Sequence, residues 1–219
     1  MFNWFNKSKK SSKNDFDARI RLDTAYNGRA FAIVANNCWG AEIYKEVNRP
    51  FNTPFIGLYI YGPDYVKLLS NIDHYANVEL KFIKTSKWLK NTIEQKYPIG
   101  ILDDVEVHFL HYHSEAEAFE KWNKRMKRLM EVDRSNWFLK ICDRDHGFEE
   151  VLLAFHELPF NNKISFAKYN LDINNHIVVE ETEQDKTVVD GVRLFDVTNK
   201  YVDIIEWINT AILRKLNVK

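Results

Sequence analysis

Cysteine is scarce: Cys38 and Cys142 are the two in 219 residues. No CxxC or HxxxH pair accompanies them, so they read as buried structural thiols rather than a zinc site. A cytosolic protein keeps such thiols reduced. Neither sign of charge is in excess, with 31 acidic and 31 basic residues. A grip on an extended nucleic-acid backbone usually needs a basic surplus, so that class of partner is not expected. No apolar run approaches the roughly 18 residues that span a bilayer. The first residues lack the continuous apolar core of a secretory signal. The GxGxxG of dinucleotide sites and the GKS or GKT of a P-loop are also missing.

What remains is an ordinary globular composition, 45% apolar and 28% charged, in a chain long enough to bury a core without disulfide or metal. It predicts a cytoplasmic protein with one α/β domain over 18–219, preceded by a polar, lysine-rich tail over 1–17. Phe2, Trp4 and Phe5 beside Lys7, Lys9, Lys10 and Lys13 suggest two roles for that tail. It either touches an anionic membrane surface peripherally or is simply solvated.

Hydrophobic patterning places a strand at Ala30–Ala35 and a short helix at Ala41–Val47, stopped by Pro50. A second apolar run spans Phe55–Tyr61. Pro63 opens a helix carried through residue 76 by Tyr65, Leu69, Ile72 and Ala76. Further strands are expected at Val78–Ile83, around Val105–Phe109, and at Trp137–Cys142, Lys163–Lys168, His176–Val179 and Val192–Val197. Ser114 and Glu117 form a capping box for a long helix with many basic residues, and another helix is expected over Phe148–Leu158. A final helix is expected at Tyr201–Leu216. Alternating strands and helices predict a three-layer α/β/α fold of Rossmann-like type with a mainly parallel central sheet.

Three constellations carry chemistry. Asn36-Asn37-Cys38-Trp39-Gly40 follows the first strand, where ligands bind in open α/β sheets. Amides can bond sugar hydroxyls, an indole can stack on a ring, and helix N–H groups attract anions. The same residues also read as a capped turn with Trp39 in the core. Asp143-Arg144-Asp145-His146 ends another strand. Two acids two residues apart can hold a divalent cation on a diphosphate, or can fix the loop through the arginine. Asp103 and Asp104 with Glu106, His108, His111 and His113 form the third. Glu106 and His108 share a strand face as an acid and base or as a structural hydrogen-bonded pair. His111 and His113 lie toward the strand's carboxyl end, and the set could also hold zinc, although no HExxH or cysteine pair accompanies it.

The blocks Asn36-Asn-Cys-Trp-Gly40, Pro50-Phe-Asn-Thr-Pro-Phe-Ile-Gly-Leu58, Tyr97-Pro-Ile-Gly100, Asp104-Val-Glu-Val-His108 and Cys142-Asp-Arg-Asp145 resemble a bacterial family of unknown function. Its members are often labelled exopolysaccharide biosynthesis proteins. The resemblance covers about residues 31–168. It implies a three-layer α/β fold and a role in surface-polysaccharide synthesis, and it carries over no catalytic residues.

The expected activity is a glycosyl- or related group transfer from an activated sugar or other small phosphorylated ligand. The alternatives are a non-catalytic sugar-nucleotide or partner-binding module, and a metal-dependent hydrolase. His111, Asp143 and Asp145 are the expected catalytic residues, with a divalent cation as the one cofactor considered. Asn36, Asn37, Cys38, Trp39, Gly40, Glu106 and Arg144 are the expected substrate contacts.

Overall fold

The computed structural model describes residues 30–89, 95–183, 186–213 and 215–216. The tail over 1–17, with its expected membrane contact, lies outside the described residues. In chain order the first half holds β1 (Ala32–Ala35), α1 (Trp39–Glu46), α2 (Gly62–Ser70), α3 (Ile72–Tyr75), β2 (Lys81–Ile83), β3 (Ile99–Leu102) and β4 (Val105–His108). The second half holds α4 (Glu115–Met130), β5 (Trp137–Cys142), α5 (Glu149–Glu157), β6 (Asn162–Ala167), β7 (His176–Val178), β8 (Thr182–Glu183), β9 (Thr187–Val188), α6 (Gly191–Thr198) and α7 (Ile204–Thr210).

Four of these strands form a parallel sheet in the order β1-β5-β6-β7. Side chains alternate across its plane, as strand geometry requires. Ala32, Val34, Leu139 and Ile141 pack on one face with Tyr65 and Leu68 of α2 and Leu152 and Phe155 of α5. Ile33, Ala35, Phe138 and Phe166 pack on the other with Ile43 of α1, Leu194 of α6 and Trp207 of α7. A parallel sheet buried on both faces explains why β1 is a continuous apolar run and β5 is one apart from Lys140.

The expected parallel sheet is present, but not every strand belongs to it. β2, β3 and β4 form a separate antiparallel sheet, and β8 pairs with β9 as a ribbon. Two residues, Asp103 and Asp104, connect β3 to β4, and a connection that short permits only an antiparallel pair. Asp103 takes the left-handed conformation that the turn demands, at φ 52°. Residues 59 and 60 join the two sheets. Tyr59 exchanges both backbone hydrogen bonds with His108 at 2.9 Å, and Ile60 N–H donates to the Asn36 carbonyl at 2.8 Å.

Local chemistry moves several other boundaries. The strand expected at Val192–Val197 is part of helix α6, because Asp190 accepts the N–H groups of Val192 and Arg193 and so caps a helix. The last helix is shorter than expected. Asp203 caps its start, and Ala211 ends it in a left-handed conformation at φ 56°. The helix expected through residue 76 breaks at Asn71, whose φ of −139° is not helical. The capping at Ser114 is present: its hydroxyl accepts Glu117 N–H at 3.1 Å, and Glu117 accepts His113 N–H at 2.9 Å. Among the described residues, no helix is long and apolar enough to cross a membrane.

A directed polar chain anchors the far end of α5. His176 Nε2 lies 2.8 Å from the Tyr169 carbonyl, which can only accept, so its Nδ1 accepts from the Ser165 hydroxyl at 2.8 Å. Ser165 in turn accepts from His156 Nε2 at 2.7 Å. Burial, with Lys163 and His176 nearby, holds the His156 pKa down to about 4, against an ordinary 6.5. Burial also lowers His108 to about 4, although Glu106 opposes it. A histidine whose folded pKa lies below its unfolded one binds fewer protons in the folded state. Its contribution is intact above about pH 6.5, falls as the pH drops, and is lost in full below about pH 4. Unfolding midpoints measured between pH 7 and pH 4 are therefore expected to decline. His156→Gln keeps a donor to Ser165 but cannot titrate, and it should make that decline shallower. An identical slope in the variant would show that His156 is not a source of the acid lability.

Candidate functional site

Lys140 lies in the middle of the apolar strand β5 and has no solvent exposure. Its amino group donates to Asn36 Oδ1 at 3.2 Å, Asn37 Oδ1 at 3.0 Å and Cys142 Sγ at 3.2 Å. Those three contacts match the three donors of a lysine ammonium. Asn37 Nδ2 also donates to Cys142 Sγ, at 3.3 Å. The turns after β1 and β5 thus meet at the carboxyl edge of the parallel sheet, tied by one lysine.

Several residues expected to contact ligand are used inside the fold. Trp39 is fully buried, with its indole N–H on the Thr198 hydroxyl at 3.0 Å and its ring against Phe166 and Phe195. It is core packing and not an open stacking surface. A Cβ on Gly40 would lie 2.9 Å from Ile33 Cγ2, so this glycine lets α1 sit tightly on β1. The start of α1 is closed as well. Asn37 Oδ1 accepts Trp39 N–H at 3.3 Å, and a Cβ on Gly191 would come within 2.7 Å of both atoms. The Cys38 thiol faces the Leu58 carbonyl, and burial, reinforced by Glu42, pushes it up to about 12, far from a reactive thiolate.

The two aspartates of the second constellation differ sharply. Asp143 is buried, and both its oxygens accept backbone N–H groups at 2.9 Å, from Val188 and from Lys168. It ties β5 to the strands beside it. Arg144 pairs with Glu183 and reaches the Val188 carbonyl. Asp145 and His146 are consecutive left-handed residues, at φ 56° and 60°. Gly147 follows because a Cβ there would fall 2.0 Å from the Cys142 carbonyl. Gly62 N–H donates to the Asp145 carbonyl at 2.7 Å, which pins this turn to the start of α2. No hydrogen bond or ion pair is formed by the Asp145 carboxylate among the described residues. Burial raises its pKa, while the charges of Arg144, Lys140 and His146 oppose that rise.

An aromatic cluster drawn from distant segments lies near Asp145, whose charge reaches Tyr61 and Tyr97. Tyr61 packs against His146 at 4.9 Å, His108 at 5.2 Å and Trp88 at 5.2 Å. Tyr59 stacks on His108 at 4.6 Å, and its hydroxyl meets that of Tyr97 at 2.8 Å. Phe148, about half exposed, stacks on His146. Glu106 lies behind this wall. It accepts the Ser86 hydroxyl and the Lys87 N–H, and its own N–H goes to the buried Asp64. His111 is docked on the loop over 56–58, its N–H on the Gly57 carbonyl at 2.9 Å, and its pKa is lowered by burial and by Lys45.

Asn36, Asn37 and the Asp143–Asp145 turn therefore come together, with Cys38 on their border and Glu106 across the aromatic wall. Lys140, Tyr59, Tyr61 and Tyr97 complete the region together with His146, and those first four are not among the residues expected from sequence. The lysine inside Trp137–Cys142 was the visible signal, since an apolar strand seldom carries a charge without a partner. Among the described residues, no group of three or more His, Cys, Asp or Glu side chains is placed to hold a metal. A surface concavity of about 430 Å³ lies elsewhere, lined by His74, Glu79, Lys81 and Asp103. Its His74–Asp103 pair is about half exposed.

The tie is testable. Lys140→Met leaves the Asn36 oxygen with only the Cys142 thiol at 3.9 Å and breaks the link to Asn37, and is expected to cost on the order of 3 kcal/mol in urea unfolding. Asp143→Ala orphans two backbone N–H groups and should cost a similar amount, about 3 kcal/mol. A loss below about 1 kcal/mol in both would show that these contacts do not hold the edge together.

A model of a domain of unknown function (DUF1919) matches residues 6–209. A relative from Haemophilus influenzae, called an uncharacterized protein, is 38% identical over 161 residues, which is 74% of this chain and 73% of its own length. The chain belongs to the DUF1919 family.

Proposed function

We propose that this chain is a cytoplasmic enzyme of exopolysaccharide or capsule synthesis, transferring a glycosyl or related group from an activated sugar. In this reading the fold is a three-layer, Rossmann-like frame, and the lysine-rich residues 1–17 bring the protein to the inner face of the membrane. The observation that carries the reading is Asp145. Its carboxylate has no partner among the described residues, it sits on two successive left-handed residues at the sheet's carboxyl edge, and burial raises its pKa. Backbone strain of about 1–3 kcal/mol per residue persists only where the surroundings enforce it, and it gathers at functional sites. A raised carboxyl pKa suits a general acid or base near neutrality. The aromatic walls Tyr61, Tyr97 and His146 suit the apolar faces of a sugar or base ring. His111, docked on the loop over 56–58, is not needed for this chemistry.

The scattered donor set lends no support to the metal-dependent hydrolase, so Asp145 is assigned as an acid or base and not as a metal ligand. A non-catalytic module that binds a sugar nucleotide is the second reading, favoured by the commitment of Asn37, Asp143 and Arg144 to internal contacts. Asp145→Asn separates function from folding. Its unfolding free energy should stay within about 1 kcal/mol of the parent, because no contact is lost. Polysaccharide output in cells should drop at least about tenfold, as expected for loss of a general acid or base. Undiminished output from a folded Asp145→Asn protein would reject the assignment.

A further inference from the structure

Glu106 and His108 lie on one face of β4, and neither is accessible to solvent to any extent. Glu106 Oε2 lies 3.4 Å from His108 Nε2. The carboxylate also accepts the Ser86 hydroxyl at 2.6 Å on Oε2 and the Lys87 N–H at 2.8 Å on Oε1. An acceptor held in this way requires the facing ring nitrogen to carry hydrogen, so Nε2 is the protonated nitrogen of the neutral imidazole. Nδ1 is then an acceptor, and the Tyr97 hydroxyl lies 3.5 Å from it. The Tyr59 hydroxyl lies 2.8 Å from that of Tyr97. One direction fits the order of the groups: Tyr59 donates to Tyr97, Tyr97 to His108 Nδ1, and His108 Nε2–H points toward Glu106 across 3.4 Å.

A hydroxyl, an imidazole and a carboxylate in this order form the general arrangement of a reacting group, its base and the base's orienter. Both links to His108 are long, and Nε2 makes no well-aligned hydrogen bond. Catalytic hydrogen bonds often have this slack before substrate tightens them. Tyr97 is half-buried beside Asp145, whose charge raises the phenol's pKa along with burial, while the Tyr59 contact lowers it. The phenol therefore stays protonated at rest and needs a base to react.

We propose that Tyr97 is a second proton-handling residue of the Asp145 site, with His108 as its base and Glu106 as the positioning residue. The proposal rests on the reading of the Asp145 region as a site and adds the substrate class, a hydroxyl-bearing acceptor. In the step, His108 Nδ1 takes the Tyr97 proton while the phenol oxygen takes the proton of the acceptor hydroxyl. The acceptor O–H and the Tyr97 O–H break, and a new Tyr97 O–H and an Nδ1–H form. The acceptor oxygen's freed electron pair bonds to the transferred carbon of the activated sugar as its leaving group departs with the old bond's electron pair, and the imidazolium faces Glu106. Nothing is oxidised or reduced, and the activated sugar of that reading is the one co-reactant. Burial keeps the resting imidazole neutral, so Nδ1 is available to accept the proton.

Phenol reactivity tests this without any substrate. The folded protein is treated with N-acetylimidazole at pH 7.5, and acetylation at each tyrosine is timed by peptide mass spectrometry. Tyr97 should acetylate about tenfold faster than Tyr169, a partly buried tyrosine without a histidine base, in line with general-base assistance. Glu106→Gln should remove most of that advantage and leave Tyr169 unchanged. Equal rates at Tyr97 and Tyr169, or an advantage that survives Glu106→Gln, would overturn the proposal. If Glu106→Gln fails to fold, ¹⁵N NMR of the histidine rings in the parent protein decides. Hydrogen on Nε2 of His108 is expected, and hydrogen on Nδ1 would overturn the chain. These readouts are independent of polysaccharide output, so the relay and the assignment of Asp145 can fail separately.

Discussion

A lysine amino group with no access to water holds the carboxyl edge of the parallel sheet together. Taking a cation out of water costs several kcal/mol even after the surroundings relax. Lys140 recovers that cost through two amide oxygens and a thiol, with the carboxylates of Asp143 and Asp145 close enough to feel its charge. The geometry that results is restrictive. Asn36 and Asn37 must turn inward at the end of β1, which sets where α1 can begin. Gly191 then closes over Asn37 and Trp39, which sets where α6 can begin. The edge is a set of positions that follow from one another, and a shift at Lys140 would be felt in both helices on that face.

The second constraint is the seam at Tyr59 and Ile60. A three-stranded antiparallel sheet beside a parallel one would leave two open edges, each a row of unpaired N–H and C=O groups. Residues 59 and 60 fill the gap with hydrogen bonds to His108 on one side and to Asn36 on the other. Alternation along the chain then decides what faces the site. Ile60 and Val107 enter the core shared with α2 and α5, so Tyr59, Tyr61, Glu106 and His108 must face the other way. The aromatic wall beside Asp145 is thus a consequence of strand periodicity in a segment just long enough to pair twice.

This explains which parts of the molecule were legible in its sequence. Strands β1 and β5 were plain, being apolar runs buried on both faces. So was the meeting of the turns that follow them, because both runs end abruptly in polar residues. Helix α6 was misread because Val192 and Val197 favour strands one by one, whereas the Asp190 side chain decides the matter by capping two N–H groups. Trp39 stays open between two readings in the sequence for a different reason. An indole next to a polar turn can face a ligand or the core, and the choice depends on Thr198 and Phe195, which lie far along the chain. Tyr59, Tyr61 and Tyr97 could not be grouped in advance, since only the pairing across the seam brings them together.

Asp143 and Asp145 show why residue type alone does not assign a role. The two acids have the same chemistry and end the same strand. Asp143 meets two backbone N–H groups, those of Val188 and Lys168, and becomes a clamp between neighbouring segments. The chain then turns through two left-handed residues, and the peptide of Asp145, rather than its carboxylate, is bound to Gly62. The clamp and the glycine contacts hold the backbone in a conformation that it would not adopt alone. They do so without using the Asp145 carboxylate. A turn built only for stability would relax this strain or satisfy that carboxylate, because each omission costs free energy. The arrangement keeps both costs, and it makes sense if the carboxylate is held ready for a partner that arrives from outside the fold.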